Sequence, residues 1–329
     1  MPAFTIGSIT AAPGTLASGL LVVPARPGDA GTVIPITVAH GAAPGPVLAL
    51  VAGTHGSEYV PIVALQRLRS QINPARLRGT VIMVHIANVP AFFGRRVYYS
   101  PGDGQNLNRV FPGRADGTLS ERIADVITRE VIGRATHLAD LHGGDGNESL
   151  RPYSYWITTG NPEVAEASRG LALAFGLDRI VVDGGRPTDP AMSSFLSNTA
   201  ITRGKPAITT EAGDRTRVDE DMVASVIDGV AGLLRHLDMQ DDGPAPVAEP
   251  VWINRDAVLR AGATGLFFAS VVKGQYVGEG AALGRIVDYF GELLEEIRAP
   301  FAGEIMYIVE TPPITKGEPI GMVGSTLNS

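Results

Sequence analysis

The sequence contains no cysteine among its 329 residues, and this absence excludes several chemistries. Disulfides, thiolate zinc ligands, iron–sulfur clusters and cysteine nucleophiles all require the missing side chain. Lysine is scarce as well, with only Lys205, Lys273 and Lys316, so Schiff-base or carrier-lysine chemistry has few candidates. A chain without cysteine suits a reducing compartment, and we expect a cytoplasmic protein.

Long hydrophobic runs and basic tracts are also missing. No stretch approaches the ~18 consecutive apolar residues of a membrane span, and the amino terminus lacks the features of a signal peptide. There are 27 basic and 34 acidic residues, a net charge of −7, so we expect neither a membrane nor a nucleic-acid partner. The composition is that of a globular protein, 44% hydrophobic and 19% charged, and the length suggests about two domains.

Between about Thr32 and Leu237, short apolar runs alternate with longer amphipathic stretches. The predicted strands cover residues 47–53, 80–86, 137–142, 179–182 and 207–210. The predicted helices cover residues 57–70, 118–134, 163–175 and 219–237, the second opening with a capping-box pattern. Strands that alternate with helices predict an α/β fold, with a mostly parallel or mixed sheet covered by helices on both faces.

The pattern changes after residue 240. A proline-rich, polar stretch at 241–250 predicts a linker, so we assign a catalytic α/β domain to residues 1–240. Beyond it, β-like runs are separated by paired Lys-Gly turns, which resemble the barrel-sandwich of biotinyl and lipoyl domains. The segment 291–297, where a carrier domain needs a modifiable lysine, contains none. We therefore expect residues 251–329 to form a small β-barrel-sandwich that caps the site and limits substrate size.

The first candidate site lies in the segment Gly53-Thr-His-Gly-Ser-Glu58, between a predicted buried strand and a helix. Ligands of open α/β sheets bind at the carboxyl ends of strands. His55 and Glu58, an imidazole and a carboxylate three residues apart, suit a divalent metal such as zinc. From these residues alone, a turn histidine hydrogen-bonded to its neighbour is the alternative.

Two other predicted strands also end in polar residues. Asp140 and His142 share one face of their strand, so the histidine can complete a His₂Glu set while the aspartate orients a ligand histidine. Glu211 ends a later strand and can act as a general base on a metal-activated water. From the sequence alone, Glu211 is no better a candidate than Glu148 or Asp214.

The last candidate is a polar loop that carries Asn108 beside Arg109. An amide and a guanidinium side by side can hold a carboxylate, the arginine through its planar fork. The alternative is a capping asparagine next to an arginine that pairs with a nearby acid such as Asp103.

Taken together, these four segments resemble the zinc carboxypeptidase superfamily and, within it, the succinylglutamate desuccinylase/aspartoacylase family. The resemblance covers about residues 47–237, and a C-terminal barrel also fits that family. It implies the following roles: one Zn²⁺ held by His55, Glu58 and His142, a substrate carboxylate held by Asn108 and Arg109, and Glu211 as the general base.

The family also places an arginine shortly before the Asn-Arg pair, where it polarises the scissile carbonyl. Arg96 is the expected match, with Arg95 adjacent to it. Many relatives have an aspartate two residues before the substrate-binding asparagine, whereas this chain has Asn106. A neutral amide would leave the zinc histidine less basic than a carboxylate does.

The resemblance implies a zinc-dependent hydrolase that deacylates an N-acyl amino acid or a related small amide. Arg96 would help stabilise the oxyanion, and Glu211 would pass its proton to the leaving amine. One alternative is a zinc carboxypeptidase acting on peptides, which an open cleft would favour. Another is a non-catalytic biotinyl-like binding module. The expected partner is a small molecule, and the chain can form a homo-oligomer.

Overall fold

The computed structural model describes residues 1–326, and the last three residues of the predicted barrel, 327–329, lie outside this part. The strands are β1 Phe4–Ile6, β2 Ile9–Ala11, β3 Thr15–Val23, β4 Thr32–His40, β5 Ala43–Ala52, β6 Arg78–Val84, β7 His137–His142, β8 Glu148–Leu150, β9 Tyr153–Ile157, β10 Arg179–Asp183, β11 Ala207–Glu211, β12 Val251–Ile253, β13 Arg255–Arg260, β14 Gly265–Ala269, β15 Tyr276–Val277, β16 Ala282–Val287, β17 Leu293–Arg298, β18 Gly303–Val309, β19 Pro313–Ile314 and β20 Pro319–Ser325. The α-helices are α1 Tyr59–Gln71, α2 Val89–Gly94, α3 Leu119–Val126, α4 Pro162–Phe175, α5 Leu196–Ile201 and α6 Glu220–His236.

Helix α3 begins as the sequence predicts but does not stay α-helical to its predicted end. The backbone N–H of Thr118 donates to the Glu121 carboxylate, and the Glu121 N–H donates to the Thr118 hydroxyl, which together form the capping box. From Ile127 to Ile132 the chain is a π-helix, and the Gly133 N–H donates to the Thr128 carbonyl five residues back. The helix predicted over 118–134 is therefore present, with a π-helical second half.

A nine-stranded mixed sheet lies at the centre of the described structure, in the order β12-β10-β9-β11-β7-β5-β6-β4-β3. Strands β11, β7, β5 and β6 run parallel to one another, whereas β9 is antiparallel to β11 and β4 is antiparallel to β6. Because β5, β7 and β11 are parallel and adjacent, their carboxyl ends meet at one edge of the sheet.

Helices cover both faces of this sheet, as predicted. Alternating residues of β5 point to opposite faces: Leu48 and Leu50 pack with α1, α4 and α6, and Ala49 and Val51 pack with α3 and α5. Each layer is closed by a continuous buried apolar cluster, so the α/β architecture predicted from the sequence is confirmed. Within residues 1–326, no helix combines the length and the apolar composition that a membrane crossing requires.

The C-terminal region forms two antiparallel sheets, β13-β20-β18-β15 and β17-β16-β14-β19. Phe267 and Ile286 of one sheet share a buried core with Ile305 and Ile320 of the other. This region is called the barrel below. The small β-rich C-terminal part predicted from the sequence is thus present.

Each of the two regions contributes a strand to the other. Strand β8, which follows β7 in the chain, pairs antiparallel with β18 of the barrel. Strand β12, which the sequence analysis assigns to the second domain, pairs parallel with β10 at the edge of the large sheet. The predicted linker, residues 241–250, contains no helix or strand. The large sheet and the barrel are therefore joined through backbone pairing as well as through side-chain packing.

Candidate active site

His55 and Glu58 lie on the turn between β5 and α1, at the carboxyl edge of the large sheet. Gly53 has a φ of 70°, in the left-handed region that favours glycine. A Cβ atom at Gly56 would lie 2.2 Å from the carbonyl oxygen of Ala91 in α2. Both positions therefore need glycine, and the tight turn directs the two polar side chains into one buried place.

His142 joins them from the end of β7, the neighbouring strand. All three side chains are buried, and one ligand atom from each lies within 4.8 Å of the others. His55 Nδ1 is 2.8 Å from Glu58 Oε1, and His142 Nδ1 is 3.2 Å from the same oxygen. The structure thus brings together the three residues that the sequence analysis names as metal ligands.

The second nitrogen of each histidine ring is held by another side chain. His55 Nε2 lies 3.1 Å from Asn106 Oδ1, and His142 Nε2 lies 3.0 Å from Asp140 Oδ1. Both Nδ1 atoms consequently face Glu58. An imidazole that binds an acceptor through one nitrogen and offers the other is the usual arrangement of a metal-ligating histidine. The donor set, two imidazoles and one carboxylate, fits zinc.

The electrostatics of these residues favour a cation between them. Burial tends to raise the pKa of Glu58, but the positive charges of His142 and His55 outweigh it and bring the pKa to about 2. Burial tends to lower the pKa of His142, and the charges of Asp140 and Glu58 raise it well above its usual range. The site therefore attracts positive charge, which a metal ion can supply in place of protons.

Glu211 stands next to His142, because the ends of β11 and β7 are paired in register. Its carboxylate lines the same cavity as His55 and Glu58. Burial raises the pKa of Glu211 well above its usual range; the charge of His142 opposes this shift, and that of Glu58 adds to it. A carboxylate with a raised pKa beside a metal site is suited to accept a proton from water.

Two further acidic residues line this cavity: Glu148, which the sequence analysis names as an alternative to Glu211, and Asp145, which it does not name. Ser57 donates to Asp145 Oδ1 at 3.1 Å, and the Tyr98 hydroxyl donates to Glu148 Oε1 at 2.6 Å. Burial raises the pKa of both Asp145 and Glu148. The one signal in the sequence is their position in the polar stretch directly after β7.

The predicted pair Asn108–Arg109 divides into two roles. The Asn108 side chain is buried: its Oδ1 accepts the Leu196 N–H at 2.9 Å, and its Nδ2 lies 3.2 Å from His142 Nε2. The Arg109 side chain lines the cavity, with its guanidinium 4.4 Å from the centre of the Phe195 ring. Only the arginine is thus placed to meet a ligand in the cavity.

The sequence analysis left open an ion pair between Arg109 and Asp103, and this alternative is wrong. The Asp103 carboxylate accepts the backbone N–H groups of Ser120 at 2.7 Å and of Gln105 at 3.2 Å. Within residues 1–326, no carboxylate lies within ion-pair distance of Arg109, whose guanidinium donates to the Asn108 carbonyl. Its positive charge is therefore available to a ligand.

Arg96 does not line the cavity that holds the three candidate metal ligands. With Arg95 it lines a second, larger cavity of about 850 Å³, between residues 95–104 and the barrel. Arg95 ends α2 in a left-handed conformation, with a φ of 50°, and the chain turns there toward the barrel. Tyr98 lies between the two cavities. Arg96 therefore does not line the cavity in which the sequence analysis expects it to act on a scissile carbonyl.

The cavity lined by His55, Glu58 and Glu211 is small, about 180 Å³. The large sheet and its loops supply the polar residues on one side. The barrel supplies the opposite wall, through Val258, Arg260, Tyr307 and Pro319. The barrel therefore covers the site, an arrangement that the sequence analysis associates with small substrates rather than peptides.

The chain is similar in sequence to known proteins. The succinylglutamate desuccinylase/aspartoacylase catalytic domain matches residues 44–237. An N-alpha-acetyl-L-2,4-diaminobutyric acid deacetylase from Halomonas elongata is 30% identical to the chain over 306 residues, covering 90% of this chain and 87% of that protein.

Solved structures show the same fold over nearly the whole chain. A succinylglutamate desuccinylase from Silicibacter sp. TM1040 superposes with a TM-score of 0.84 at 26% identity, covering 98% of this chain and 99% of that one. The product-bound ectoine utilization protein EutE (DoeB) from Ruegeria pomeroyi also superposes with a TM-score of 0.84, at 27% identity, covering 95% and 96% of the two chains. The similarity therefore includes the barrel as well as the large sheet.

Proposed function

The chain belongs to the succinylglutamate desuccinylase/aspartoacylase family, and from this premise we propose that it is a zinc-dependent hydrolase that removes the acyl group of a small N-acyl amino acid. The observation that carries the proposal is the convergence of His55, Glu58 and His142 beside a covered cavity that Glu211 also lines. We propose that residues 1–240 carry the catalytic machinery and that residues 251–329 cap it.

One zinc ion would be held by His55 Nδ1, His142 Nδ1 and the Glu58 carboxylate. Bound there, zinc supplies Lewis acidity, which polarises the amide carbonyl and makes water a stronger acid. Asn106 and Asp140 hold the two imidazoles in the required orientation through their Nε2 atoms. Asn106 is neutral, so it accepts a hydrogen bond from His55 without adding negative charge.

Glu211 is the proposed general base. Its carboxylate takes a proton from the attacking water and gives it to the amine as the amide bond breaks, so one residue acts first as base and then as acid. Burial keeps the pKa of Glu211 well above its usual range. The protonated state that must donate to the leaving amine is stabilised by this shift.

Arg109 is the proposed partner of the substrate carboxylate, because it lines the cavity and no carboxylate of residues 1–326 lies within ion-pair distance of it. Asn108 supports this arrangement from outside the cavity, between Leu196 and His142. A charge-assisted hydrogen bond to a carboxylate is worth about 1.5–3 kcal/mol. Substrates with a free carboxylate should therefore be preferred to their esters.

An N-acetylated amino acid with a side-chain amine is the substrate that we propose first. Asp145 and Glu148 line the cavity, beyond the carboxylates that the metal and the base would use, and they can attract an ammonium group. The Halomonas relative, a deacetylase of N-alpha-acetyl-L-2,4-diaminobutyric acid, supports this choice. Peptides are a poorer fit, because the cavity is only about 180 Å³ and the barrel closes one side.

The test is metal analysis followed by a substrate panel. The purified protein should contain one zinc per chain and should release acid from one class among N-acetyl, N-succinyl and N-formyl amino acids. The panel includes N-acetyl-L-2,4-diaminobutyrate, and a dipeptide with a free carboxyl terminus tests the carboxypeptidase alternative. A protein without stoichiometric metal that hydrolyses none of these would contradict the proposal and favour a binding module. A cytoplasmic location and a homo-oligomer stay predictions.

A further inference from the structure

Arg260 reaches the candidate active site from the barrel. It is the last residue of β13, whose pairing with β20 is regular from Arg255 to Leu259 and shifts register between Leu259 and Arg260. The extra residue, Ile320, lies on β20, so the alternation of side chains along β13 is kept. Arg260 and Val258, two residues apart on the same face of β13, both line the cavity that His55 and Glu58 line.

Contacts within residues 1–326 use only part of the hydrogen-bonding capacity of the Arg260 guanidinium. Its Nη1 atom donates to the carbonyl of Gly317 at 2.9 Å. Among residues 1–326, no carboxylate lies within ion-pair distance of it, although the cavity contains several acids. Arg179, which also lies between the two regions, differs because it pairs with Glu304 at 2.9 Å. Arg260 is held in place but is not neutralised.

Arg109 lines the same cavity from the side of the large sheet, and it too has no carboxylate of residues 1–326 within ion-pair distance. Its Nη1 atom donates to a backbone carbonyl, and its guanidinium packs on Phe195 without an acidic partner. Arg186, the third arginine nearby, differs because it pairs with Asp183. Of these three, Arg109 and Arg260 are therefore the cations with unused N–H donors toward the cavity.

We propose that Arg260 binds the carboxylate of the substrate together with Arg109, one arginine from each region of the molecule. Two planar guanidinium groups that face one small cavity present several N–H donors, a geometry that matches the two oxygens of a carboxylate. This inference rests on the proposed function and assigns a specificity role to a barrel residue. It makes the barrel part of the binding site rather than a steric cover alone.

The test measures binding separately from turnover. In the Glu211→Gln protein, which should bind substrate without consuming it, calorimetry gives the dissociation constants of N-acetyl-L-2,4-diaminobutyrate and of its methyl ester. We expect the acid to bind about 10- to 100-fold more tightly than the ester. Adding Arg260→Gln should reduce this ratio about tenfold, and Arg260→Lys should restore part of it, because an ammonium lacks the fork.

Arg255→Gln is the matched control, since it lies on the same strand but its guanidinium packs on Phe301, 4.1 Å from the ring centre, away from the cavity. This variant should keep the parent ratio. An acid-to-ester ratio that is unchanged by Arg260→Gln in a folded protein, or a parent that binds acid and ester equally, would overturn the inference. The inference would also be overturned if Arg109→Gln lowered the ratio and Arg260→Gln did not, because the carboxylate would then be bound by Arg109 and not by Arg260.

Turnover by the wild-type chain separates this result from the proposed function. If the wild-type chain hydrolyses a substrate of the panel and Arg260→Gln leaves the acid-to-ester ratio unchanged, the proposed deacylase activity stands and the proposed role of Arg260 is wrong. Arg260→Gln in the otherwise wild-type chain should raise KM and leave kcat nearly unchanged, because the carboxylate is held equally in the bound substrate and the transition state. A fall in kcat with unchanged KM would contradict a carboxylate-binding role.

Discussion

The large sheet and the barrel differ in how they distribute polar residues. In the large sheet, buried histidines and carboxylates gather at one edge, where β5, β7 and β11 end. The barrel keeps its polar residues dispersed and exposes large apolar side chains, among them Tyr289, Phe290 and Leu293, which are 82%, 89% and 62% exposed. The described residues of the barrel contain no comparable group of histidines and acids.

Strand direction explains this difference. Adjacent parallel strands end at the same edge, so one polar residue at each end converges with its neighbours without any special loop. In antiparallel sheets, successive strands end at opposite edges, and the same placement disperses polar groups. The barrel can therefore enter the chemistry only through single side chains that reach across, as Val258 and Arg260 do.

The largest expected effect is the loss of a metal ligand at the parallel edge. His142→Ala should abolish metal binding and turnover, because the two proposed ligands that remain, His55 and Glu58, are too few to hold zinc. The control is His137→Ala at the other end of the same strand, where the imidazole contacts Thr136; it should keep both properties. Metal analysis and a melting curve decide the result. Full metal content in a folded His142→Ala protein would remove this residue from the ligand set.

The second-largest expected effect tests whether Glu211, at the same edge of the large sheet, is the general base or a metal ligand. Glu211→Gln should retain zinc and lose about 10²- to 10⁴-fold in kcat, because an amide cannot accept the proton from water. Glu148→Gln serves as the comparison, since Glu148 is hydrogen-bonded to Tyr98 and its pKa is also raised by burial. If Glu148→Gln loses more activity than Glu211→Gln, the base is Glu148.

A smaller effect tests the barrel wall. Val258 is 41% exposed and lines the small cavity, so Val258→Ala should enlarge it by the volume of two methyl groups. The ratio of kcat/KM for a longer acyl group over acetyl should then rise about tenfold. Val272→Ala, at an exposed barrel position outside the cavity, should leave this ratio unchanged. An unchanged ratio in Val258→Ala would mean that the acyl group lies elsewhere.

The smallest effect concerns the second cavity. The protein has a net charge of −7, and Arg95 and Arg96 lie in a cavity separated from the active site by Tyr98. Arg96→Gln should lower kcat/KM for an anionic substrate about two- to fivefold at low salt, and the difference should disappear at high salt. Arg285→Gln, which changes the net charge equally outside both cavities, is the control. An effect that persists at high salt would indicate a direct contact.

The sequence predicts the large sheet and the residues at its edge because both depend on local pattern. Buried parallel strands are continuous apolar runs, and the polar residue that ends each run is visible without knowing the fold. His142 and Glu211 are of this kind, and His55 and Glu58 lie in the turn after such a run, but the roles of the four residues follow from the family resemblance and not from this pattern. The mixed strand directions at the flanks, such as β9 against β11, have no local signature.

Residues that depend on how distant segments pack were beyond the sequence pattern. Arg260 resembles any exposed arginine at the end of a strand, and only the position of the barrel brings it to the cavity. The family resemblance implies a role for Arg96 shortly before Asn108, but after the turn at Arg95 this side chain lines another cavity. Spacing along the chain determines which face of a helix or strand a residue occupies. It does not determine which distant part of the molecule packs against that face.

The exchange of strands between the two regions has a consequence for how the chain folds. The edge of β10 receives β12 only after residue 253 has been made, and β8 receives β18 later still. Until then both strands present unpaired backbone, the kind of edge on which another chain can pair. These long-range pairings also raise the contact order, which slows folding. During synthesis the N-terminal region is therefore exposed to misassembly until β18 has been made.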